Sequence, residues 1–243
     1  MTGRAVVIVQ ARMGSSRLPG KVLLDLAGAP MLDRVLARCA AIPGVDEVVV
    51  ATSELPGDDP LADHVRALGF RCFRGSESDV LSRYAGAARM AEAGIVMRVT
   101  SDCPLLSPAV SGRVLAALRD SDGGLDYVSN AQTRSYPRGL DTEVFTAASL
   151  YRADAEATLQ RDREHVTPYL YLEPGRFRIG GVADSQDRSD LRWTVDTADD
   201  LAMMRALVAA AGDPMATYET LLATCDRHPE IVALNATIQQ KQL

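Results

Sequence analysis

The chain has 243 residues and a formal net charge of −6, and 47% of its residues are apolar and 24% are charged. This composition supports a sizeable hydrophobic core and gives no electrostatic support to a general nucleic-acid role. No apolar run approaches the roughly 18 residues of a membrane-spanning helix. The four cysteines are scattered without a C-x-x-C pair, so neither a disulfide framework nor a zinc site is expected. Because no signal-peptide layout is seen either, we expect a soluble, cytoplasmic protein without nucleic-acid or membrane partners.

Short apolar runs alternate along the chain with helical patterns. The runs predict strands at residues 6–9, 47–51, 70–73, 95–99, 127–129, 143–146, 176–182 and 192–195. Helices are predicted from residue 30 to about 43, at 60–68, from a cap at Ser78 or Asp79 to 93, and at 108–118, 147–158, 163–172, 198–211 and 215–224. This alternation favours a three-layer, Rossmann-like α/β fold around a largely parallel sheet, in which ligands bind beyond the carboxyl ends of the strands.

A dense group of hydrogen-bond donors follows the first strand directly. It combines glycines at 14 and 20 with amide, hydroxyl and cationic side chains, namely Gln10, Arg12, Ser15, Ser16, Arg17 and Lys21. Glycines let a backbone approach a ligand closely, and converging donors suit a polyphosphate. Lys21 stands out because Lys241 is the only other lysine and every other basic residue apart from histidine is arginine. The alternative interpretation is a solvated loop between a strand and a helix.

Two well-known phosphate loops do not match this stretch. A P-loop has four residues between its first glycine and the Gly-Lys pair, followed by Ser or Thr. Here five residues separate Gly14 from Gly20-Lys21, and Val22 follows. The dinucleotide pattern G-x-G-x-x-G is also absent.

Two aspartates follow predicted strands. Asp102 comes shortly after the strand at 95–99, and Asp196 directly follows the strand at 192–195. Two carboxylates at strand ends can hold Mg²⁺, which uses one or two carboxylates together with substrate phosphates. Helix capping is the alternative for each of them.

The segment VVIVQARMGSSRLPGKVL resembles the CTP-binding signature of the sugar-acid cytidylyltransferases, the family of the acylneuraminate and 3-deoxy-manno-octulosonate enzymes. It is most similar to the branch named after a spore-coat polysaccharide biosynthesis protein. The segments RVTSDCPLL and RWTVDTADDL also resemble the metal-binding motifs of this family, with Ser101 where relatives more often have glycine. The resemblance implies a mixed sheet of the nucleotide-diphospho-sugar transferase type in a single domain, 1–243. It also implies a homodimer, formed through an excursion within residues 130–178.

The resemblance further implies a Mg²⁺-dependent transfer of CMP from CTP to a sugar acid or similar anionic acceptor. Pyrophosphate would be released, in the biosynthesis of a surface polysaccharide or glycoconjugate. Arg12, Lys21, Asp102 and Asp196 would act in catalysis, and the two aspartates would be the Mg²⁺ ligands. The residues expected to bind CTP are Gln10, Ala11, Arg12, Ser15, Ser16, Arg17, Lys21, Thr52, Ser53 and Gly75.

The residues for acceptor recognition are also inferred from resemblance. The segments RGLDTE and REHVTPY resemble motifs of the spore-coat branch. These motifs implicate Arg138, Asp141, Glu143 and His165. Arginines 134, 138 and 163 suit bidentate binding of a carboxylate or phosphonate. Arg98 is expected to pair with a carboxylate, and Cys103 is interpreted as a packing residue.

Three rival functions fit the sequence less well. A metal-dependent glycosyltransferase needs an Asp-x-Asp motif after a strand, whereas Asp120-Ser121-Asp122 follows a predicted helix. A sugar-1-phosphate nucleotidyltransferase would carry a Gly-x-Gly loop, which is missing. A non-catalytic nucleotide-binding regulator would need neither the second aspartate nor an acceptor pocket.

Overall fold

A computed structural model describes residues 3–238 of the chain. Its strands are β1 (Ala5–Gln10), β2 (Asp25–Leu26), β3 (Ala29–Pro30), β4 (Glu47–Ser53), β5 (Arg71–Gly75), β6 (Ile95–Thr100), β7 (Tyr127–Ser129), β8 (Glu143–Thr146) and β9 (Ile179–Gly181). Its α-helices are α1 (Met31–Ala40), α2 (Asp59–Ala67), α3 (Val80–Met90), α4 (Pro108–Asp120), α5 (Ala147–Glu156), α6 (Gln160–His165), α7 (Pro168–Tyr171), α8 (Ala198–Ala211), α9 (Tyr218–Arg227) and α10 (Pro229–Val232). Short 3-10 turns lie at Lys21–Leu23 and Pro56–Asp58.

The main sheet has seven strands in the order β5-β4-β1-β6-β8-β7-β9. Strands β5, β4, β1 and β6 pair in parallel, whereas β8 runs antiparallel to both β6 and β7. The mixed sheet expected for the nucleotide-diphospho-sugar transferase type is thereby confirmed. The register pairs Gln10 with Thr100 and Ser53 with Gly75, so these strands end at one common edge.

Alternate residues of the central strands pack on opposite faces of this sheet. Val7 and Val9 of β1 join a core with α1, α2 and α4, whereas Val6 and Ile8 join a core with α3, α5 and α7. This alternation follows from the two-residue period of a strand. The result is the predicted three-layer arrangement.

A third core supports the loops at the carboxyl edge of the sheet. Trp193 is fully buried there among residues of α8 and α9 and the loop residues Tyr136 and Leu140. The strand predicted at 192–195 is wrong, because this extended segment forms only an isolated bridge between Arg138 and Arg192. Its backbone instead bonds to two separate loops: the Trp193 N–H donates to the Arg138 carbonyl at 2.6 Å and the Val195 N–H to the Asp102 carbonyl at 2.8 Å.

Several predicted boundaries also move. The helix predicted at 163–172 is wrong, since it breaks into α6 and α7 at Val166, whose φ is +72°. The last predicted helix begins later than expected, at Tyr218, because Thr217 is its N-cap. The triplet at 120–122 lies at the end of α4, as predicted, and not after a strand. Among residues 3–238, no helix is long and apolar enough to span a membrane.

Candidate active site

The loop after β1 turns at Gly20 and is held in place by a hydrogen bond to Asp58. Gly20 has a φ of +67°, a conformation that side chains disfavour, and its N–H donates to the Met13 carbonyl at 3.1 Å. The Met13 N–H in turn donates to Oδ1 of buried Asp58 at 2.7 Å. Burial alone would raise the pKa of Asp58, but hydrogen bonds from the Ser53 hydroxyl and the Met13 N–H outweigh it and lower the pKa. Sequence reasoning missed this anchor, because an aspartate after Pro56-Gly57 is typical of an ordinary turn.

Lys21 is the centre of the site. Its Nζ donates to Oδ2 of Asp102 at 3.1 Å, to Oδ1 of Asp196 at 3.0 Å and to the Val195 carbonyl at 2.7 Å. Only 11% of its side chain is exposed. Burial lowers the pKa of Lys21, but the charges of Asp102 and Asp196 outweigh that effect and leave the pKa raised. The ammonium group therefore stays protonated between the two carboxylates.

The two carboxylates face this cleft and do not cap helices. Helix α4 is capped by Ser107, whose side chain accepts from the Val110 N–H. Helix α8 is capped by Thr197, which forms a capping box with Asp200. Burial would raise the pKa of Asp102, but Lys21 and nearby hydrogen bonds outweigh it and lower the pKa. Both aspartates are thus available for the chemistry of the cleft.

A buried network holds Asp196 in place. Arg192 Nη2 lies 2.9 Å from Asp196 Oδ2, and Arg192 Nε lies 2.8 Å from Oδ1 of fully buried Asp200. Asp200 also accepts from the Asp196 N–H at 2.9 Å and from Asn235 Nδ2 at 2.9 Å. On the open side, Arg17 Nη2 lies 3.0 Å from Asp196 Oδ2. Sequence reasoning missed Arg192, Asp200 and Asn235, although the spacing 192, 196, 200 was a local signal.

The phosphate-loop residues line one side of the resulting cleft. A volume of about 280 Å³ is bounded mainly by loop donors and the two carboxylates, namely Gln10, Ala11, Arg12, Gly14, Ser15, Ser16, Arg17, Lys21, Ser101, Asp102 and Asp196. Oε1 of Gln10 is buried and has no hydrogen-bond partner among the described residues. Among residues 3–238, Arg12 forms only a loose ion pair, with Glu77 at 3.8 Å, and both side chains are about half exposed. We call this volume the donor cleft; its cations and polar groups suit an extended anion.

A second volume, the acceptor cleft, meets the donor cleft at Asp102 and Asp196. It measures about 660 Å³ and contains all four predicted acceptor residues: Arg138, Asp141, Glu143 and His165. Glu143 is held by Arg98 Nη1 at 2.5 Å and by the Tyr127 hydroxyl at 2.6 Å, so the predicted carboxylate partner of Arg98 is Glu143.

The three arginines predicted for acceptor binding differ in their partners. Arg134 pairs with Asp141 at 2.5 Å. Arg163 pairs with Asp79 and Asp154 and does not line the acceptor cleft. Arg138 is partly buried, lines the acceptor cleft, and forms no side-chain ion pair within the described part of the chain. Of the three, Arg138 alone offers an unpaired guanidinium to the cleft.

Comparison with known proteins decides the family. Residues 6–239 match the model of a family described as "Cytidylyltransferase". The chain belongs to the cytidylyltransferase family.

Three individual proteins are similar to most of this chain in sequence or structure. The spore coat polysaccharide biosynthesis protein SpsF of Bacillus subtilis is 34% identical over 231 residues, covering 92% of this chain and 94% of the relative. The structure of a cytidylyltransferase from Leptospira borgpetersenii superposes with a TM-score of 0.92 at 30% identity, covering 98% of this chain and 99% of that one. The structure of CMP:2-keto-3-deoxy-manno-octonic acid synthetase complexed with CTP superposes with a TM-score of 0.64 at 25% identity, covering 85% and 98%. Membership of this family supports CTP-dependent nucleotidyl transfer as the type of reaction.

The loops predicted to recognise the base lie away from both clefts of this cytidylyltransferase. Thr52 and Ser53 are fully buried, and the Ser53 hydroxyl donates to Asp58. Gly75 pairs with Ser53 at the end of β5. None of the three lines the donor or the acceptor cleft, so their role in base recognition stays a prediction. Cys103 is buried, and burial with nearby Asp102 raises its pKa well above the ordinary range, which agrees with a packing role.

The donor atoms at the junction of the clefts fit Mg²⁺ that arrives with a nucleotide. Within residues 3–238, no group of three or more His, Cys, Asp or Glu side chains could hold a metal by itself. Asp102 and Asp196 form a pair around one ammonium group. A pair is what Mg²⁺ uses when phosphates and water supply its other ligands.

Proposed function

We propose that this cytidylyltransferase moves CMP from CTP to a sugar acid or another small anionic acceptor and releases pyrophosphate. The observation that carries the proposal is the meeting of two clefts at Asp102 and Asp196. One cleft is lined by the cationic loop, and the other contains Arg138, which has no ion pair among the residues that the structure describes. The names of the SpsF and octulosonic-acid relatives support a sugar-acid acceptor in the biosynthesis of a surface polysaccharide or glycoconjugate.

On the donor side, the chain's own cations would do most of the work. Arg12 and Lys21, with Arg17 at the junction, would neutralise the triphosphate, and Ser15 and Ser16 would donate to its oxygens. Preorganised donors of this kind stabilise charge that develops on a leaving pyrophosphate. Gln10, with its unsatisfied side-chain oxygen, and the Ala11 backbone would bound the nucleotide. Recognition of cytosine by Thr52, Ser53 and Gly75 belongs to the proposal and is supported by family resemblance.

Mg²⁺ is part of the proposal, with Asp102 and Asp196 as its protein ligands. A bound Mg²⁺ would polarise the α-phosphate and favour ionisation of the attacking hydroxyl. Arg192 and Asp200 would keep Asp196 oriented from behind. Because Lys21 contacts both carboxylates, it would also limit their mutual repulsion before the nucleotide enters.

On the acceptor side, Arg138 is the group best suited to an acceptor carboxylate or phosphonate. A planar guanidinium binds such groups through two hydrogen bonds. Asp141 and Glu143 are held by Arg134 and Arg98, so both can position acceptor hydroxyls as fixed hydrogen-bond acceptors. His165 completes this side of the cleft.

Two further features belong to the proposal. A homodimer through residues 130–178 is supported by resemblance, and sedimentation velocity would test it. Part of this range is built into the sheet, since β8 lies between β6 and β7. A cytoplasmic location is also proposed, and fractionation of cells with an antibody to the chain would test it.

The direct test is pyrophosphate release from CTP or UTP, with and without 3-deoxy-manno-octulosonate or an acylneuraminate. We expect release that requires CTP, Mg²⁺ and a sugar acid. Asp102→Asn should abolish turnover without unfolding the protein. Asp63→Asn is the matched control, because Asp63 has a 76% exposed side chain and pairs with Arg66 outside both clefts. Full activity in Asp102→Asn, or hydrolysis of a nucleotide sugar in place of CTP use, would refute the proposal.

A further inference from the structure

Helix α6 ends in a strained turn. Val166 has φ +72° and ψ −56°, and the Thr167 N–H donates to the His165 carbonyl at 2.8 Å. These angles and this bond define the rare γ-turn with positive φ, which is strained. A β-branched residue with positive φ is itself an outlier. The backbone therefore stores strain immediately after His165.

Packing maintains this turn. Val166 is fully buried in the core that contains Tyr84 and Phe145. Strain of about 1–3 kcal/mol of this kind persists where surrounding structure fixes it, and it is concentrated at functional sites. The residues on both sides of the turn, His165 and Thr167, line the acceptor cleft. The strained turn thus lies directly at the wall of that cleft.

His165 lies at a junction between the acceptor cleft and a volume beside the nucleotide-binding loop. It lines the acceptor cleft together with Asp102. It also lines a neighbouring volume of about 340 Å³ that contains Gln10 and Arg12 of the nucleotide-binding loop. An imidazole in this position faces both the volume proposed for the acceptor and the loop proposed for the nucleotide.

The imidazole is free to take part in chemistry. Within residues 3–238 its nitrogens form no hydrogen bond, and the side chain is only partly buried. Burial lowers its pKa, Glu164 opposes this, and Arg98 and Arg161 lower the pKa further. Other titratable or charged groups face the same two volumes from β8, α7, α3 and the surrounding loops. They are Glu143, Tyr171, Arg83, Arg12, Arg17, Glu77, Asp102, Arg134, Arg138, Asp141 and Asp196. The net effect keeps the imidazole neutral near pH 7, so that it can accept a proton.

We propose that His165 accepts the proton of the acceptor hydroxyl as that hydroxyl attacks the nucleotide, an inference that rests on the proposed function. The O–H bond breaks and its proton moves to an imidazole nitrogen. The hydroxyl oxygen bonds to the α-phosphorus, and the bond from that phosphorus to the oxygen bridging to the β-phosphorus breaks. Pyrophosphate leaves with that electron pair, and the imidazolium later releases its proton to water. A general base of this kind typically contributes 10²–10⁴-fold to the rate.

The test is chemical rescue, with CTP and 3-deoxy-manno-octulosonate or an acylneuraminate as substrates. His165→Gly should lower kcat by about 10²–10⁴-fold, with the affinity for CTP unchanged. Added imidazole should restore activity in proportion to its neutral fraction. The wild-type kcat/KM–pH profile, which reports groups of the free enzyme, should have an acidic limb from His165, whose pKa is lowered, and this limb should be absent from the unrescued variant. His228→Gln, at an exposed histidine outside both clefts, is the matched control and should retain the wild-type profile.

Each outcome decides the matter. Suppose that the wild type turns over. Full activity in His165→Gly would then overturn this inference, and so would a loss of activity that imidazole does not restore. Either result would leave the proposed function standing. Absence of wild-type turnover with both sugar acids would overturn the proposed function, and the role of His165 with it. If circular dichroism shows that the glycine variant is unfolded, His165→Asn replaces it. That variant should lose both the rate and the acidic limb, and retention of either contradicts the proposal.

Discussion

Replacing Lys21 with methionine removes the cation that touches both cleft carboxylates. Methionine preserves most of the side-chain volume, so packing against the loop should change little. Arg17 and Arg192 still neutralise Asp196 in the variant. Asp102, in contrast, has no other ion pair among the described residues. The variant therefore isolates the effect of leaving Asp102 unpaired.

The size of the effect follows from the burial of this pair. Removing one partner of a fully buried ion pair costs about 3–5 kcal/mol, and exposed pairs contribute about 0–1 kcal/mol. The Lys21 side chain is 11% exposed and that of Asp102 is 26% exposed, so the pair lies nearer the buried limit. We expect Lys21→Met to lower the free energy of unfolding by about 2–3 kcal/mol. Adding Asp102→Asn should recover at least about 1 kcal/mol, because the unpaired charge is then gone.

The pH dependence has a defined sign. The pKa of Asp102 is lowered in the folded protein, so its stabilising contribution is present above its unfolded value of 3.8 and is lost as the pH falls below that. The pKa of Lys21 is raised, so its contribution is present below 10.5 and is lost as the pH rises above it. The difference in the free energy of unfolding between wild type and Lys21→Met should therefore be largest between pH 3.8 and 10.5 and should become smaller outside this range.

Urea unfolding followed by circular dichroism at several pH values measures this difference. Arg66→Met, which breaks an exposed pair with Asp63, is the control and should leave the urea midpoint within error of wild type. An unchanged midpoint in Lys21→Met would refute the reasoning. So would further destabilisation when Asp102→Asn is added to that variant.

Three more predictions concern one residue of the acceptor cleft and two buried positions. Arg138→Gln should raise the KM of the acceptor by about 10–100-fold, because a charged hydrogen bond contributes about 1.5–3 kcal/mol, and steady-state kinetics should show the KM of CTP unchanged. Asp200→Asn should lower both kcat and the melting temperature, because Asp200 holds Arg192 and completes the cap of α8. A normal kcat in that variant would contradict the role of Asp200 in orienting Asp196 through Arg192. Gly139→Ala should lower the free energy of unfolding by more than about 2 kcal/mol, because φ is +107° there and the new Cβ would lie 2.1 Å from the Trp193 carbonyl oxygen. A wild-type melting curve for Gly139→Ala would exclude that contact.

Local sequence signals predicted the elements that depend on local rules. The β-branched apolar runs located the central strands, and the donor-rich segment after β1 located the loop that lines the donor cleft. Asp102 lies just beyond β6, as expected, whereas Asp196 follows a segment that is not a strand, and contacts between distant parts of the chain bring both to Lys21. The predictions of the strands and of this loop succeeded because the spacing of apolar residues and the composition of a loop can each be read within a short segment of the sequence.

The misses depend on contacts between distant parts of the chain. The segment 192–195 is as apolar as a strand, but its partners are single residues of two loops near 102 and 138, so no ladder forms. Nothing local marks Val166 for a positive φ, because valine disfavours it and only the surrounding core fixes it. Asp58 and Asp200 resemble turn and capping residues in sequence. Their bonds to the phosphate loop and to Arg192 appear only after folding.

The most direct test of the account uses CTP labelled at a single phosphorus. With the wild-type enzyme, Mg²⁺ and 3-deoxy-manno-octulosonate or an acylneuraminate, label at the α-phosphorus should appear in a sugar-acid phosphodiester. Label at the γ-phosphorus should appear in pyrophosphate. Transfer of the γ-label to the acceptor, or release of CDP, would show that a different bond is broken and would contradict the account.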